Sequence, residues 1–389
     1  MKKLKIYLSS GSVQTIPQML DFARCAYDLS VVKIICWYRT ELTPFQLKGT
    51  HAYYIRQKYT VSAEFTAKIT EIIEKLKPAE VEIHGNIAFT NVELYRVVAS
   101  ISKKISNDRI KIHLYDDGIK SITDRYELSQ LQEKEFGALK AACVKYFDAI
   151  LTHETNPFSD YFRTTWPELM NYMWHHFFDV SYHLMNQYEN HIHNGTSPFY
   201  RYIRKNTRTL ERGGIHETDP KTLAFCLSLL NLNIPILNQI RQEMQHKNSL
   251  LYMGAGYFDT QKDNEITKKQ VNKIIRMKDQ GIIKDTDRVI FKAHPINHPK
   301  NRLKITHALG ENVYTISNSL SFEILPLIGL APKEIICTFS TLIFTMNKNV
   351  FRHIIGHADT KVESLKNPIL KQLVKSAVIK KDIISGWLD

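Results

Sequence analysis

The sequence predicts an α/β protein of two doubly wound domains, each a parallel sheet covered by helices on both faces, with a cleft between them. Three observations carry the prediction. Short strand-like runs alternate with amphipathic helical runs from the first residues onward, the pattern of parallel strands joined by crossover helices. The alternation lapses across 157–202, a stretch rich in aromatics and His, and then resumes. A chain of 389 residues is also too long for one ordinary core.

Taken in order, 4–8 is a strand, the turn Ser9-Ser10-Gly11 follows, and a helix covers about 13–29 with Pro17 in its first turns. Segment 31–38 is nearly all apolar, as suits a strand buried on both faces, and 52–59 is extended. A helix over 63–76 stops before Pro78. Segment 81–84 is a strand ending in Gly85-Asn86, and 91–105 is a helix. Segment 110–115, Ile-Lys-Ile-His-Leu-Tyr, alternates apolar and polar residues and breaks at Asp116-Asp117-Gly118, a strand running into a turn. A helix spans about 128–146. The aromatic stretch reads as helices packed between the domains, and 201–214 as a basic loop. In the second half, 222–244 is helical with a break near Pro235, and strand 250–253 leads into Gly254-Ala255-Gly256. Helix 266–277 follows, and strand 288–293 enters His294-Pro295. Strand 313–316, a short helix at 322–328, strands 334–337 and 351–355, and a helix at 368–376 complete the chain.

Hydrophobic residues make up 43% and charged residues 23%, a globular balance. The longest apolar runs, such as 31–37, fall far short of a membrane span. No signal-like apolar region follows the first residues, so the expected location is cytoplasmic. The five cysteines are scattered, with no zinc-type spacing, and read as reduced and mostly buried. His191-Ile-His193 could hold a metal, but no acidic or Cys partner stands nearby, so a surface pair is the expectation. Asn194-Gly-Thr196 matches a glycosylation sequon and is discounted without a signal peptide. A net charge of +13 favours anionic partners: nucleic acid, an acidic membrane surface or an anionic substrate. No nucleic-acid-binding module is recognisable, and none is expected as a partner.

The candidate chemistry lies where strands end. In an open α/β sheet, ligands bind beyond the carboxyl ends of the strands. Asp116 and Asp117 stand at such an end, where a carboxylate can take a proton from a substrate hydroxyl; a plain surface turn uses the same residues. Gly254-Ala255-Gly256 would bring backbone close to a ligand, although the full dinucleotide pattern and the phosphate loop are both absent. His294, leaving a strand beside the rigid Pro295, could donate to a leaving phosphate, or be a capping or core His. Ser321 and Glu323 sit at a helix start; they cap it, or Glu323 accepts from both ribose hydroxyls of a nucleotide. Ser340-Thr341 offer two hydroxyls at a helix start, a seat for a phosphate or an ordinary cap.

These stretches carry a resemblance. Leu-Tyr-Asp-Asp-Gly at 114–118, Phe-Lys-Ala-His-Pro at 291–295, segment 316–330 with Ser321-Phe-Glu323, and Ser340-Thr341 resemble, in order and spacing, the motifs of the bacterial sialyltransferases of glycosyltransferase family eighty, the Pasteurella and Photobacterium type. The opening Leu-Lys-Ile-Tyr-Leu and the Ile-His-Gly-Asn-Ile-Ala stretch at 83–88 add to it, so that it covers essentially the whole chain. The resemblance implies a GT-B fold, with an acceptor-side domain over 1–158 completed by a C-terminal return at 367–389, and a donor domain over 159–366. It implies inverting, metal-independent transfer of sialic acid from CMP-sialic acid to a glycan hydroxyl, with no cofactor. Asp117 matches the general base, His294 the residue assisting departure of CMP, Glu323 the ribose binder, and Ser340 and Thr341 the hydroxyl pair at the phosphate. Gly254, Lys292, Pro295 and Ser321 fall with them on the donor side; Asn86, Phe89 and Tyr257 fall with Asp117 on the acceptor side.

Two positions depart from the family. Its acceptor-binding His is Phe89 here, and its donor-domain Trp loop reads Gly256-Tyr257-Phe258. The expected acceptor is therefore less defined than the donor: a galactoside of a bacterial surface oligosaccharide, reached at the anionic inner face of the membrane. The alternatives are a Kdo- or polysialyl-type transferase, a basic nucleic-acid-binding protein, and a nucleotide-binding regulator without catalysis.

Overall fold

The computed structural model describes residues 2–9, 11–38, 40–56, 63–87, 92–152, 167–185, 189–193, 195–210, 219–318, 320, 322–356 and 367–387. The chain divides into two compact units, Met1–Leu229 and Leu230–Asp389. The first is built on a seven-stranded sheet and the second on a six-stranded one.

In the first unit, the strands are β1 (Lys3–Ser9), β2 (Val31–Trp37), β3 (Ala52–Tyr54), β4 (Glu80–Asn86), β5 (Ile110–Tyr115), β6 (Asp179–Leu184) and β7 (Thr207–Thr209). They lie in the order β3-β2-β1-β4-β5-β6-β7, every neighbouring pair parallel. The order reverses between β1 and β4, which is the doubly wound topology. All seven residues of β2 are buried, so its run of apolar side chains reflects cover on both faces. One face of the sheet presents Leu4, Ile6, Ile83, Ile112, Leu114, Tyr182 and their neighbours to a single apolar core.

In the second unit, β8 (Ser249–Met253), β9 (Arg288–Lys292), β10 (Tyr314–Thr315), β11 (Glu334–Thr338), β12 (Phe351–Ile355) and β13 (Ile384–Ser385) lie in the order β10-β9-β8-β11-β12-β13, again all parallel. The topology of the first sheet is repeated, with the reversal between β8 and β11.

The structure corrects the sequence reading in several places. A helix at Ile119–Ser129 follows Gly118 directly, ahead of the helix at Glu133–Thr152; its mixture of buried Ser121, Asp124, Arg125 and Ser129 gives no apolar stripe to read. The aromatic stretch holds β6, whose Val180, Tyr182 and Leu184 are buried in alternation, and the segment expected as a basic loop holds the polar three-residue β7 at the sheet edge. Trp174 and Phe178, which obscured β6, pack into the first unit's core. The expected boundary at 158/159 therefore moves to 229/230, because β6 and β7 complete the first sheet. The expected return of 367–389 to the first domain is corrected likewise: β13 pairs with β12 in the second sheet.

Candidate functional site

At the carboxyl edge of the first sheet, Asn86 ends β4 and Asp116-Asp117-Gly118 follows β5. The register sets Asn86 beside Tyr115 and Tyr115 beside His183, so these strand ends lie level. The adjacent carboxylates have different surroundings. Asp116 Oδ2 faces Arg125 Nη2 at 2.8 Å with both side chains wholly buried, and accepts the Met185 N–H at 2.9 Å. Its Oδ1 accepts from the Ser121 hydroxyl and, at 3.4 Å, from the Gly118 N–H. Asp116 thus ties the turn to the following helix and to the end of β6. Asp117 is half-buried, and its N–H donates to Ser121 Oγ at 3.1 Å. Gly118 has φ +94°, a conformation that strains any residue with a Cβ. Fixed backbone around a partly exposed carboxylate is what a general base requires.

In the second unit the strand ends are level as well: Met253 pairs with Lys292 and with Cys337, and Phe291 with Thr315. The loops carrying Gly254, His294, Glu323 and Ser340 therefore leave one edge side by side. The first two are bound together. Asp263 is almost fully buried; its Oδ1 accepts from the Tyr257 N–H at 3.0 Å and Asn297 Nδ2 at 2.9 Å. Its Oδ2 accepts from the His298 N–H at 3.0 Å and Asn301 Nδ2 at 2.7 Å. Burial alone would raise this carboxyl, but the donors outweigh it and hold Asp263 below the usual range. A Cβ on Gly256 would stand 3.0–3.2 Å from Asn297 Cβ, Cα and N. The Gly-x-Gly sequence thus admits the neighbouring loop rather than only a ligand.

His294 is half-buried and Pro295 exposed. His294 Nδ1 accepts, at a long 3.4 Å, from the Ile296 N–H, which in a neutral ring places the proton on Nε2. Lys292 is buried, its ammonium donating to the Ala293 and Asn318 carbonyls at 3.1 and 3.4 Å. It thereby joins the His294 loop to the segment leading to Glu323. Glu323 is half-buried and precedes the single turn Ile324–Leu327. Ser340 precedes Thr341–Phe344, a four-residue 3-10 turn, so the expected helix start is shorter than the sequence suggested. Gly254 is buried, while Tyr257 is 48% exposed beside Phe258 at 65%. Phe89 and Ser321 lie outside the described residues.

Sequence reasoning missed the residues that hold these loops: Arg125, Ser121 and Asp263. For the last, Asn297 and Asn301 at helical spacing after a strand end were the available signal. It also missed a polar cluster behind the first edge. Among the described residues, the group that could hold a metal is Glu82, His84 and His113, not His191 and His193.

That cluster implies acid sensitivity. Burial, then His84, pushes His113 down to about 3; burial, then His84 and Arg208, pushes His183 to about 4. Both rings fold neutral, so their contribution is complete above the ordinary value of 6.5 and is lost as pH falls toward 4. Glu82 acts in the same direction below pH 4.5: burial would raise it, but His84, Lys3 and Lys5 hold it far down. Each pH unit of displacement is worth ~1.4 kcal/mol, screened in part by water at the half-exposed rings. The expected loss of stability between pH 7 and pH 4.5 is roughly 2–4 kcal/mol. Urea unfolding across that range checks it, and an unchanged midpoint overturns it.

No curated protein matches the chain. Among solved structures, the 2,6-sialyltransferase of Photobacterium sp. JT-ISH-224, in ternary complex with donor product CMP and acceptor substrate lactose, is similar with a TM-score of 0.82. It shares 16% identity, over 100% of this chain and 79% of that one. The α/β-galactoside α-2,3-sialyltransferase of Photobacterium phosphoreum gives 0.79 at 17% identity, over 100% and 99%. The GT-B domain of the Photobacterium damselae sialyltransferase gives 0.78 at 17%, over 99% of each. The two parallel-sheet units are thus those of the GT-B fold. The family model described as Sialyltransferase PMO188 matches residues 4–384. The chain belongs to that sialyltransferase family and is a glycosyltransferase.

Proposed function

We propose that the protein transfers sialic acid from CMP-sialic acid to a glycan hydroxyl, with inversion and without a divalent metal. One observation carries this reading: the described donor-side residues Gly254, Lys292, His294, Glu323, Ser340 and Thr341 all lie at or just beyond the carboxyl edge of a single doubly wound sheet. That edge is where such folds take nucleotides. Glu323 binds the ribose hydroxyls. Ser340, Thr341 and the Nε2–H of His294 stabilise the charge developing on the departing phosphate. CMP leaves through one phosphate, for which these donors serve where a diphosphate would call for a metal. Asp117 takes the proton of the acceptor hydroxyl as it attacks the anomeric carbon from the face opposite CMP, and a single in-line displacement inverts that centre.

The acceptor in this reading is a galactoside of a bacterial surface oligosaccharide, met at the cytoplasmic face of an anionic membrane that the +13 charge favours. A phenyl ring at position 89 can stack on a sugar ring but cannot make the hydrogen bond a His would, a difference that shifts acceptor choice. The test is incubation with CMP-sialic acid in chelator, with and without a panel of galactosides and sialosides, and assignment of the product anomer by NMR. Inverted product in chelator supports the reading; transfer only from another CMP-activated acid sugar, or only with added metal, overturns it. Glu323→Ala is expected to weaken CMP binding by about 1–3 kcal/mol, the cost of polar partners left unpaired. Calorimetry measures this, and unchanged affinity removes Glu323 from the site.

A further inference from the structure

We propose that Glu82, His84 and His113, joined by Asp21, form a binding site for a zinc-class divalent cation in the sheet of the first unit, apart from the transfer chemistry. Glu82, His84 and His113 each offer one donor atom, and the three lie within 4.8 Å of one another. His84 Nε2 is 2.9 Å from Glu82 Oε1 and 3.5 Å from Asp21 Oδ2, and His113 Nε2 is 3.6 Å from Glu82 Oε1. Tetrahedral zinc with bonds of about 2.0–2.1 Å sets its ligand atoms roughly 3.4 Å apart, so the side chains need only small movements.

The register explains the grouping. His84 on β4 pairs with His113 on β5 and with Tyr7 on β1, so the rings stack across three strands. The second nitrogen of each His is held. His84 Nδ1 meets the Tyr115 hydroxyl at 2.9 Å, and His113 Nδ1 meets His183 Nε2 at 3.4 Å. Such outer contacts fix ring orientation and tautomer in metal sites. Two imidazoles among the donors select zinc, cobalt or nickel over magnesium or calcium.

A cation already occupies the carboxylates. Lys5 Nζ lies 2.8 Å from Asp21 Oδ2 and 3.0 Å from Glu82 Oε1, and Lys3 also pairs with Glu82. A metal must displace Lys5, which lowers its affinity. When bound, it clamps the helix Ser12–Cys25 to β4 and β5, the strands that lead to Asn86 and Asp117.

The test titrates the chelator-stripped full chain with Zn2+ and with Co2+, following calorimetry, thermal midpoint and the visible cobalt spectrum. The expected result is one equivalent bound, a raised midpoint and a four-coordinate cobalt spectrum. His113→Ala should weaken binding at least tenfold and Tyr115→Phe about tenfold, whereas Lys5→Met should tighten it by removing the competing ammonium. The midpoint in chelator reports whether each variant is folded, and the opposite sign of Lys5→Met separates ligation from general damage. Binding that is absent, or equal in wild type, His113→Ala and Lys5→Met, overturns the proposal; the result is independent of whether sialic acid is the sugar transferred.

Discussion

Asp117→Ala is expected to lower kcat by roughly a hundredfold or more, within the range for a positioned acid–base group. The donor constant should hardly move, because the proposed role of the carboxylate is on the acceptor hydroxyl. Stability should fall by no more than about 1.5 kcal/mol, the range for one hydrogen-bonding group, since the Gly118–Asp116, Ser121–Asp116 and Ser121–Gly118 bonds of the turn remain in the variant. Initial rates at saturating donor, with CMP affinity and unfolding midpoint measured on the same sample, separate these expectations. Wild-type turnover in the variant would remove Asp117 from the chemistry. A loss of stability equal to the loss of rate would make it a structural residue.

The elements that announced themselves in the sequence have one-sided or fully buried faces. β2 is apolar throughout, β5 alternates, and the parallel alternation yielded both sheets. The candidate residues were legible because strand ends in this topology converge on one edge, so order along the chain translates into neighbours in space. What escaped was held by polar groups. The helix at Ile119–Ser129 buries Asp124 and Arg125, and periodicity counts such residues as surface. β6 sits among aromatics that belong to the turns around it, and β7 is a short polar edge. Asp263 could not be found as a loop clamp without knowing that Asn297 and Asn301 reach it from the next strand's exit. The pair Asp116-Asp117 shows the same limit within two residues. Sequence places both at the edge, and only Arg125, eight or nine positions on, distinguishes them.

Asp116→Ala should therefore act on folding where Asp117→Ala acts on turnover. It removes a carboxylate paired with a wholly buried guanidinium, together with the acceptor for the Met185 N–H and the Ser121 hydroxyl. Breaking a buried pair from one side leaves an uncompensated charge in low dielectric, at a cost of about 3–5 kcal/mol. That is a large part of the stability of an ordinary domain. Arg125→Met alone should cost a similar amount by stranding the carboxylate. The double variant Asp116→Leu with Arg125→Met should recover much of the loss, because well-packed apolar residues of similar volume replace buried ion pairs with little penalty. Urea unfolding of this double variant and of its own singles, Asp116→Leu and Arg125→Met, gives the coupling between the two sites, and a double-variant loss equal to the sum of those singles would rule the pair out as a unit. If Asp116→Ala were as stable as wild type yet inactive, the assignment would reverse: Asp116 would be the base, and Asp117 the residue of the turn.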